Sequence, residues 1–378
     1  MKRYGVGLLV CVFLLGMCAV PVSAAPESLS SLSAVLYEPQ SGRFLYDKGG
    51  DAPRPIASTT KLMTALVAVE HLSLETVVTV SQQAVMVEGS SMGLRAGDRL
   101  TVKDLLTGLL LSSGNDAANT LALTVSGSLP AFAELMNKKA EALGMTDTCF
   151  VTPSGLDEGD HHSTARDMAY LAAAVLERPE LAAVCAKKSA VITFEQPEKQ
   201  VTVYNHNRLL NLYPSSIGLK TGYTQKSGKC LVSAARQDGV TLIVVTLNGG
   251  DYWNDHIKLY NYGFDHTVAV SLPSPSSSSV AVAGGTTDRV CITADTLPTA
   301  VLLKEEQEQL SCRVELPPFL WAPVHEGDVV GKAVYHVNGR AVGECSLIAE
   351  ESVPCRPLKT MTEKWKQWTM LLFREWLR

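Results

Sequence analysis

Apolar residues recur along this chain with two different spacings, and each spacing predicts a different element. The runs 34–36 and 44–46 flank a Pro/Gly turn, which is typical of a hairpin of two strands. After Ser58 the apolar positions return at helical spacing, which predicts a helix. The same spacing predicts further helices at 101–111, 129–143 and 165–177. Strand-like apolar runs follow at 201–204, 230–234 and 241–247, so the pattern indicates a mixed α/β domain.

The composition changes abruptly near residue 270. Proline and serine dominate the segment 269–279, which favours a linker. Beyond it, short β-rich runs alternate with glycine and proline at 280–283, 301–303 and 329–337. The sequence therefore predicts a first domain over 25–268 and a small β-rich sandwich domain over 280–356.

The N-terminal segment, 1–24, has the pattern of a signal peptide. Lys2 and Arg3 precede an apolar run over 6–20, and a small-x-small cleavage site ends at Ala24. The run is shorter than the roughly 20 residues that a bilayer-spanning helix needs. We therefore expect an exported protein at the outer face of the cytoplasmic membrane, in the cell wall or in the periplasm.

The C-terminal segment, 357–378, has an apolar and aromatic face at helical spacing. The residues on this face are Met361, Trp365, Trp368, Leu372 and Trp376. Lysine and arginine outnumber the acidic residues of the segment, which predicts a basic amphipathic helix that associates with a membrane surface. A helix packed on the second domain is the alternative.

Composition narrows the classes of function. The 378 residues are 46% hydrophobic and 19% charged, with a formal net charge of −5. This is an ordinary globular composition without the polycationic surface that nucleic acid attracts, so no nucleic-acid partner is expected. The cysteines after the signal segment match no zinc-binding spacing, and buried thiols are the favoured interpretation. Cys345 and Cys355 are the candidate disulfide, and no metal or cofactor is predicted.

Ser58 and Lys61 place a hydroxyl and an amine three residues apart at the start of a predicted helix, where they share one face. A serine becomes a nucleophile when a base takes its proton, and lysine is such a base when burial or a nearby cation lowers its pKa. By itself this spacing is weak evidence, because a capping serine and a surface lysine also match it.

Two later motifs strengthen the chemical interpretation. In Ser-Gly-Asn, Ser113 offers a second hydroxyl to relay a proton, and Asn115 offers an amide to hold a substrate backbone. In Lys-Thr-Gly, Lys220 supplies positive charge and Thr221 can hydrogen-bond a carboxylate or peptide. Gly222 lets an extended substrate approach a strand edge closely.

The three motifs in this order resemble the low-molecular-mass penicillin-binding proteins, specifically the D-alanyl-D-alanine carboxypeptidases. Segments similar to that family also occur at 54–58, 155–157, 163–169, 205–207 and 220–224. The resemblance implies a penicillin-binding/β-lactamase-like transpeptidase fold over 25–268, with a five-stranded sheet and helices. It also implies a β-rich second domain and a C-terminal amphipathic anchor.

The resemblance further implies a reaction. Ser58 attacks the carbonyl of a peptidoglycan stem peptide ending in D-Ala-D-Ala, Lys61 takes the hydroxyl proton, and Ser113 passes it to the departing D-alanine. Backbone N–H groups of Ser58 and Tyr223 hold the oxyanion. Water then hydrolyses the acyl-enzyme, and β-lactam antibiotics act as covalent inhibitors.

Other functions stay open at this point. The motifs do not separate a carboxypeptidase from a D,D-endopeptidase that cuts cross-links, and a non-hydrolytic penicillin-binding scaffold is a further alternative. A class A β-lactamase is disfavoured, because no deacylating glutamate motif follows Ser-Gly-Asn. The loop 157–162 places carboxylates beside His161 and His162, but adjacent residues rarely converge on one ion, so a metal site is not predicted.

Overall fold

The computed structural model describes residues 26, 28–276, 278–357, 365–366 and 369–370. The predicted signal peptide and most of the predicted C-terminal helix lie outside these residues. Within the described ranges, no helix is both long and apolar enough to cross a bilayer.

The first domain alternates strands with helices. Its strands are β1 (Ser33–Glu38), β2 (Arg43–Lys48), β3 (Val77–Thr79), β4 (Arg99–Thr101), β5 (Ser189–Gln196), β6 (Glu198–Tyr204), β7 (Ser216–Thr224), β8 (Gly228–Gln237), β9 (Val240–Gly249) and β10 (Thr267–Ser271). Its helices are α1 (Lys61–His71), α2 (Gln82–Val85), α3 (Val102–Leu111), α4 (Asn115–Ser126), α5 (Leu129–Ala142), α6 (Ala165–Leu176), α7 (Pro179–Cys185), α8 (Leu209–Leu212) and α9 (Tyr252–His266).

The central sheet has the strand order β2-β1-β9-β8-β7, and its neighbouring strands are antiparallel. Successive side chains of a strand point to opposite faces. In β9, Leu242 and Val244 therefore pack with Leu259 of α9, whereas Ile243 and Val245 pack in the core that contains α1. Because both faces are covered, the strand is a continuous apolar run.

Helix α1 lies inside the first domain, in contact with α3, α4, α5 and α6. Its residues from Lys61 to Ala68 are all buried. Each fully buried leucine here, such as Leu62 or Leu66, contributes about 1.5–3 kcal/mol relative to exposure. This packing fixes the helix that carries the Ser58–Lys61 pair, whose serine lies in the preceding 3-10 turn, Ala57–Thr60.

The predicted helices at 101–111, 129–143 and 165–177 are present as α3, α5 and α6. Each helix is capped at its start by a side-chain hydroxyl that accepts a hydrogen bond from a backbone N–H group of the helix. The capping residues are Thr101, Ser128 and Thr164, respectively. Helices α4 and α9 were not predicted. Their asparagine, threonine and aromatic residues are weak helix formers, so tertiary packing decides their conformation.

The second domain is β-rich, as predicted. Its strands are β11 (Ser278–Ala283), β12 (Arg289–Ala294), β13 (Thr299–Leu303), β14 (Leu310–Glu315), β15 (Leu320–Trp321), β16 (Val329–Val337) and β17 (Arg340–Ala349). One sheet has the order β14-β16-β17-β12-β11-β15, and β10 pairs with β13. The segment 269–279 therefore includes the end of β10, which joins the two domains through backbone hydrogen bonds.

Side chains also join the domains. Arg43 Nη1 donates to both carboxylate oxygens of Glu306 at 3.0 and 2.8 Å, and Val301 packs in the apolar cluster that contains Leu36. The Glu306 side chain is 11% exposed, so this charge-assisted pair is shielded from solvent. The Arg43–Glu306 ion pair and the apolar contact of Val301 together hold the β-rich domain against the β1–β2 side of the central sheet.

The candidate disulfide is wrong. Cys345 and Cys355 are both free thiols in the described structure. Cys345 lies within β17 and is buried in the second core, whereas Cys355 is exposed and forms a bridge pair with Gly285. One thiol is therefore buried and the other exposed. The short distance between the two cysteines in the sequence did not indicate this difference in burial.

Candidate active site

Three residues with left-handed backbone mark the three motifs. Ala57, Ser113 and Leu219 have φ of 47°, 62° and 84°. Ala57 precedes Ser58, and Leu219 precedes Lys220. This conformation costs an L residue about 1–3 kcal/mol, and it persists only where the surrounding structure over-determines it. A strained residue therefore lies within one motif, at Ser113, and directly before the other two, at Ala57 and Leu219.

Ser58 and Lys61 are in direct contact. Lys61 Nζ lies 2.8 Å from Ser58 Oγ, 2.7 Å from Asn115 Oδ1 and 2.6 Å from the carbonyl oxygen of Ser154. The lysine is 0% exposed. Its amine is thus fixed by three oxygens and shielded from water.

The environment of Lys61 favours the neutral amine. Burial lowers the pKa of Lys61 well below its usual range, and the positive charge of Lys220 lowers that pKa further. The carboxylate of Asp116 acts in the opposite direction but is the smaller influence. A neutral amine 2.8 Å from a serine hydroxyl can accept its proton.

Asn115 is held at both ends of its amide. Its Oδ1 accepts the hydrogen bond from Lys61, and its Nδ2 donates to the carbonyl oxygen of Glu88 at 2.6 Å. An amide nitrogen carries two hydrogens, so one donor remains for a substrate carbonyl. Asn115 is the first residue of α4, and this position at a helix end brings it to the lysine.

Ser113 lies in the turn between α3 and α4. It is 3% exposed, and within the described part of the chain its hydroxyl has no hydrogen-bond partner. An unpaired hydroxyl on a strained residue of this motif is available to a substrate.

The Lys-Thr-Gly motif lies within β7. Lys220 is 1% exposed, its Nζ donates to the carbonyl oxygen of Thr221 at 2.8 Å, and burial lowers the pKa of Lys220 to about 7. Thr221 is half-buried. Since β7 is the last strand of the central sheet, its outer backbone groups have no strand partner among the described residues.

Gly222 suits the close approach of β7 to the nucleophile turn. A Cβ at this position would lie 3.0 Å from the carbonyl oxygen of Ile56 and 3.1 Å from the backbone nitrogen of Ser58. The strand therefore passes directly beside the Ser58 N–H. The next residue, Tyr223, has a side chain that is 65% exposed, so its predicted role depends on its backbone N–H.

A loop that the sequence did not assign to the site holds Lys61 from the other side. Ser154 contributes the carbonyl oxygen 2.6 Å from Lys61 Nζ. Next to it, Gly155 has φ of +83°, and a Cβ there would lie 2.0 Å from the carbonyl oxygen of Ala57. The resemblance of 155–157 to family segments was the one sequence feature that pointed to this loop. The contact itself could not be predicted, because it uses a backbone carbonyl, which every residue has.

His161 ties this loop to the nucleophile turn. Its Nδ1 accepts the backbone N–H groups of Val151 and Thr152 at 3.0 and 3.3 Å, and its Nε2 lies 2.8 Å from Thr60 Oγ1. The Thr60 hydroxyl donates to the carbonyl oxygen of Ala57 at 2.8 Å. Burial lowers the pKa of His161 to about 4, so the imidazole is neutral, as an acceptor of two N–H groups must be.

The comparisons with known proteins agree with this geometry. A family model described as D-alanyl-D-alanine carboxypeptidase matches residues 20–251, which is more than half of the chain. The chain belongs to the D-alanyl-D-alanine carboxypeptidase family. A model described as the C-terminal domain of penicillin-binding protein 5 matches residues 273–355 of this carboxypeptidase.

Characterised relatives cover most of the chain. The D-alanyl-D-alanine carboxypeptidase DacF of Bacillus subtilis strain 168 is 30% identical over 333 residues, with 85% of each chain covered. A D-alanyl-D-alanine endopeptidase of Pseudomonas aeruginosa is 36% identical over 256 residues, which cover 64% of this chain and 82% of the relative. The crystal structure of penicillin-binding protein 5 from Haemophilus influenzae is 30% identical with a TM-score of 0.68, covering 88% of this chain and 99% of that one.

These findings confirm the predicted family, the α/β domain with a β-rich second domain, and the class of enzyme. The protein is a serine-type D-Ala-D-Ala carboxypeptidase. Its family acts on peptidoglycan substrates ending in D-Ala-D-Ala and binds β-lactams. The structure brings Ser58 and Asn115 into contact with Lys61 and places Gly222 of β7 beside Ser58, whereas Ser113 lies in the turn between α3 and α4.

The neutral His161 predicts a pH dependence of stability. Its unfolded pKa is about 6.5, so the unfolded state gains a proton below that pH while the folded state stays neutral until about pH 4. We expect the wild-type free energy of unfolding to fall by about 1–3 kcal/mol as the pH falls from 6.5 to 4, and not to change from this cause above 6.5. Urea unfolding across this range should show a shallower fall for His161→Gln.

His162→Gln is the matched control, because this neighbouring imidazole bonds only within its own loop, to the carbonyl oxygen and the carboxylate of Asp160. It should keep the wild-type pH dependence. At neutral pH, His161→Gln should also keep most of the penicillin acylation rate, since an amide can replace one acceptor and one donor, whereas His161→Leu should slow acylation. Parallel pH curves for wild type and His161→Gln would refute the assignment.

Proposed function

We propose that the carboxypeptidase works through an acyl-enzyme on Ser58, with Lys61 as the base. The observation that carries this proposal is the buried Lys61 amine, 2.8 Å from Ser58 Oγ and beside the buried Lys220. A general base in such a position contributes about 10²–10⁴-fold in rate.

In the first step, Ser58 Oγ attacks the carbonyl carbon between the two D-alanines while its proton moves to Lys61 Nζ. Negative charge develops on the carbonyl oxygen. The backbone N–H groups of Ser58 and Tyr223 stabilise it, which is supported by the close approach of Gly222 to Ser58. The tetrahedral intermediate then collapses and the peptide C–N bond breaks.

The leaving nitrogen needs a proton. We assign its delivery to Ser113, whose hydroxyl has no other partner among the described residues, with Lys61 as the source. D-alanine then departs. Water, deprotonated by the neutral Lys61, attacks the ester and releases the shortened peptide. A β-lactam forms the same ester but retains its leaving group, which slows this last step.

Substrate binding is assigned to β7 and Asn115. The stem peptide adds to the open edge of β7 as a further strand, which gives affinity through main-chain hydrogen bonds. Asn115 donates its free amide hydrogen to the substrate backbone. Lys220 and Thr221 are the groups assigned to the terminal carboxylate, because 251–255 supplies no basic residue after the strands that follow the motif.

A second candidate activity is cleavage of D-Ala-containing cross-links. The named endopeptidase from Pseudomonas aeruginosa, at 36% identity, favours it. The catalytic groups would be the same, and the leaving group would be a D-amino acid within a second stem peptide.

The first test is acylation of Lys61→Ala by fluorescent penicillin. We expect the acylation rate to fall by about 10³-fold, because the base is lost. Ser58→Ala should not be labelled at all. Lys138→Ala, an exposed lysine of α5, should be labelled at the wild-type rate. Undiminished labelling of Lys61→Ala would remove this lysine from the mechanism.

The second test separates the two activities. Purified protein is incubated with a pentapeptide ending in D-Ala-D-Ala and, separately, with a cross-linked dimer, and products are measured by mass spectrometry. We expect free D-alanine from the pentapeptide at a rate that Ser58→Ala abolishes. Cleavage of the dimer without D-alanine release from the pentapeptide would assign the endopeptidase activity instead.

Export and membrane attachment are proposed from the sequence of the two ends. The signal-type segment 1–24 directs the enzyme outside the cytoplasm, where its substrate lies, and the basic amphipathic segment 357–378 attaches it to the membrane surface. The segment 269–279 connects the catalytic domain to the β-rich domain.

Deletion of 357–378 tests the attachment. We expect the shortened protein to appear in the soluble fraction after cell lysis, while the full chain sediments with membranes. Retention of the D-alanine release activity shows that the shortened protein is folded. A shortened, active protein that still sediments would contradict the proposed role of this segment.

A further inference from the structure

A cavity of about 670 Å³ lies next to the catalytic groups without including them. Helices α2, α4 and α5 and the loop that follows Phe150 line it. Ser154 lines the cavity, and its carbonyl oxygen is the one that accepts a hydrogen bond from Lys61. Glu88 also lines it, and its carbonyl oxygen accepts from Asn115. The cavity and the catalytic site therefore share a wall.

One residue of this cavity is a buried polar side chain without a partner. Asn119 is 5% exposed and lines the cavity, and no hydrogen bond of its amide occurs among the described residues. Asn137, another lining residue, bonds Phe150 through both amide atoms. The amide atoms of Asn119 therefore face the cavity, where they can bond a ligand.

The charge of the lining is one-sided. The described lining residues include three glutamates, Glu88, Glu134 and Glu158, and no lysine or arginine. The same cavity has apolar lining from Leu129 and Phe150, among others. A cavity with apolar lining, carboxylates and an amide oxygen suits an aliphatic chain that ends in an ammonium group. The ammonium group can donate three hydrogen bonds to these oxygens.

We propose that this cavity binds the side-chain amine of the third residue of the stem peptide. The inference rests on the proposed function, which places the scissile bond at Ser58. Ser154 is the link, because it lines the cavity and contacts the lysine that lies 2.8 Å from Ser58 Oγ. The three carboxylates repel a second carboxylate, so a lysine-type side chain is preferred over one that carries a free carboxylate beside its amine.

The experiment compares three peptides that end in D-Ala-D-Ala. They carry L-lysine, Nε-acetyl-L-lysine or meso-diaminopimelate before the two D-alanines, and kcat/KM is measured from D-alanine release. We expect the lysine peptide to be about fivefold better than each of the other two, as for an ion pair at a partly exposed site.

Glu134→Gln and the double variant Glu134→Gln/Glu158→Gln should reduce this preference in steps. Glu141→Gln is the matched control, because Glu141 is an exposed glutamate of the same helix, α5, that does not line the cavity. It should keep the wild-type preference. Asn119→Leu tests the buried amide, with Ser58 acylation by penicillin as the measure that the variant is folded.

The outcomes separate this inference from the proposed function. Equal kcat/KM for the three peptides in the wild type overturns the inference and leaves the carboxypeptidase mechanism intact. A preference that survives unchanged in the double glutamate variant overturns the assignment to this cavity. Absence of D-alanine release from all three peptides contradicts the proposed function itself.

Discussion

The removal of water from one lysine amine is the constraint on which the rest of the structure depends. A charged ammonium is costly to bury, and Lys61 is fully enclosed, with the buried amine of Lys220 nearby. The neutral amine is the form that this environment favours, and it is the form that can take a proton from Ser58. To enclose it, the fold buries α1 from Lys61 to Ala68 and supplies one acceptor from α4 and one from the loop that contains Ser154. The helical core of the first domain is thus a requirement of the chemistry.

The same enclosure explains where strain and close contacts occur. Ala57, Ser113 and Leu219 keep a left-handed backbone beside their motifs, and glycines at 155 and 222 let loop and strand reach the nucleophile turn. Each strained residue reduces stability by about 1–3 kcal/mol, which the packed cores on both faces of the central sheet offset. His161 belongs to this arrangement, because its neutral imidazole binds the Ser154 loop to the turn that carries Ser58.

Substrate recognition depends on two features outside the enclosed lysine: the edge of β7 and the cavity lined by Ser154. One edge of the sheet, β7, is free of a strand partner in the described chain, and the cavity behind Ser154 is acidic. Backbone pairing along β7 is tolerant of side chains, so selectivity has to come from pockets such as this cavity. No described residue of the β-rich domain takes part in these contacts. It is held at the β1–β2 side of the sheet by β10 and by the shielded pair of Arg43 and Glu306.

The sequence by itself determined the three motifs, the family they resemble, the α/β class, the β-rich second domain and most long elements, because these depend on local spacing and composition. Helices α4 and α9, with weak local propensities, and the placement of Lys-Thr-Gly inside β7 were decided by packing. Only the tertiary structure supplied the carbonyl of Ser154, the bonds of His161, the unpaired Asn119 and the separation of Cys345 from Cys355. The physical reason is that pKa, desolvation and hydrogen-bond partners are properties of groups distant in sequence. Ser58 and Lys61 are ordinary residues until the fold removes water from between them.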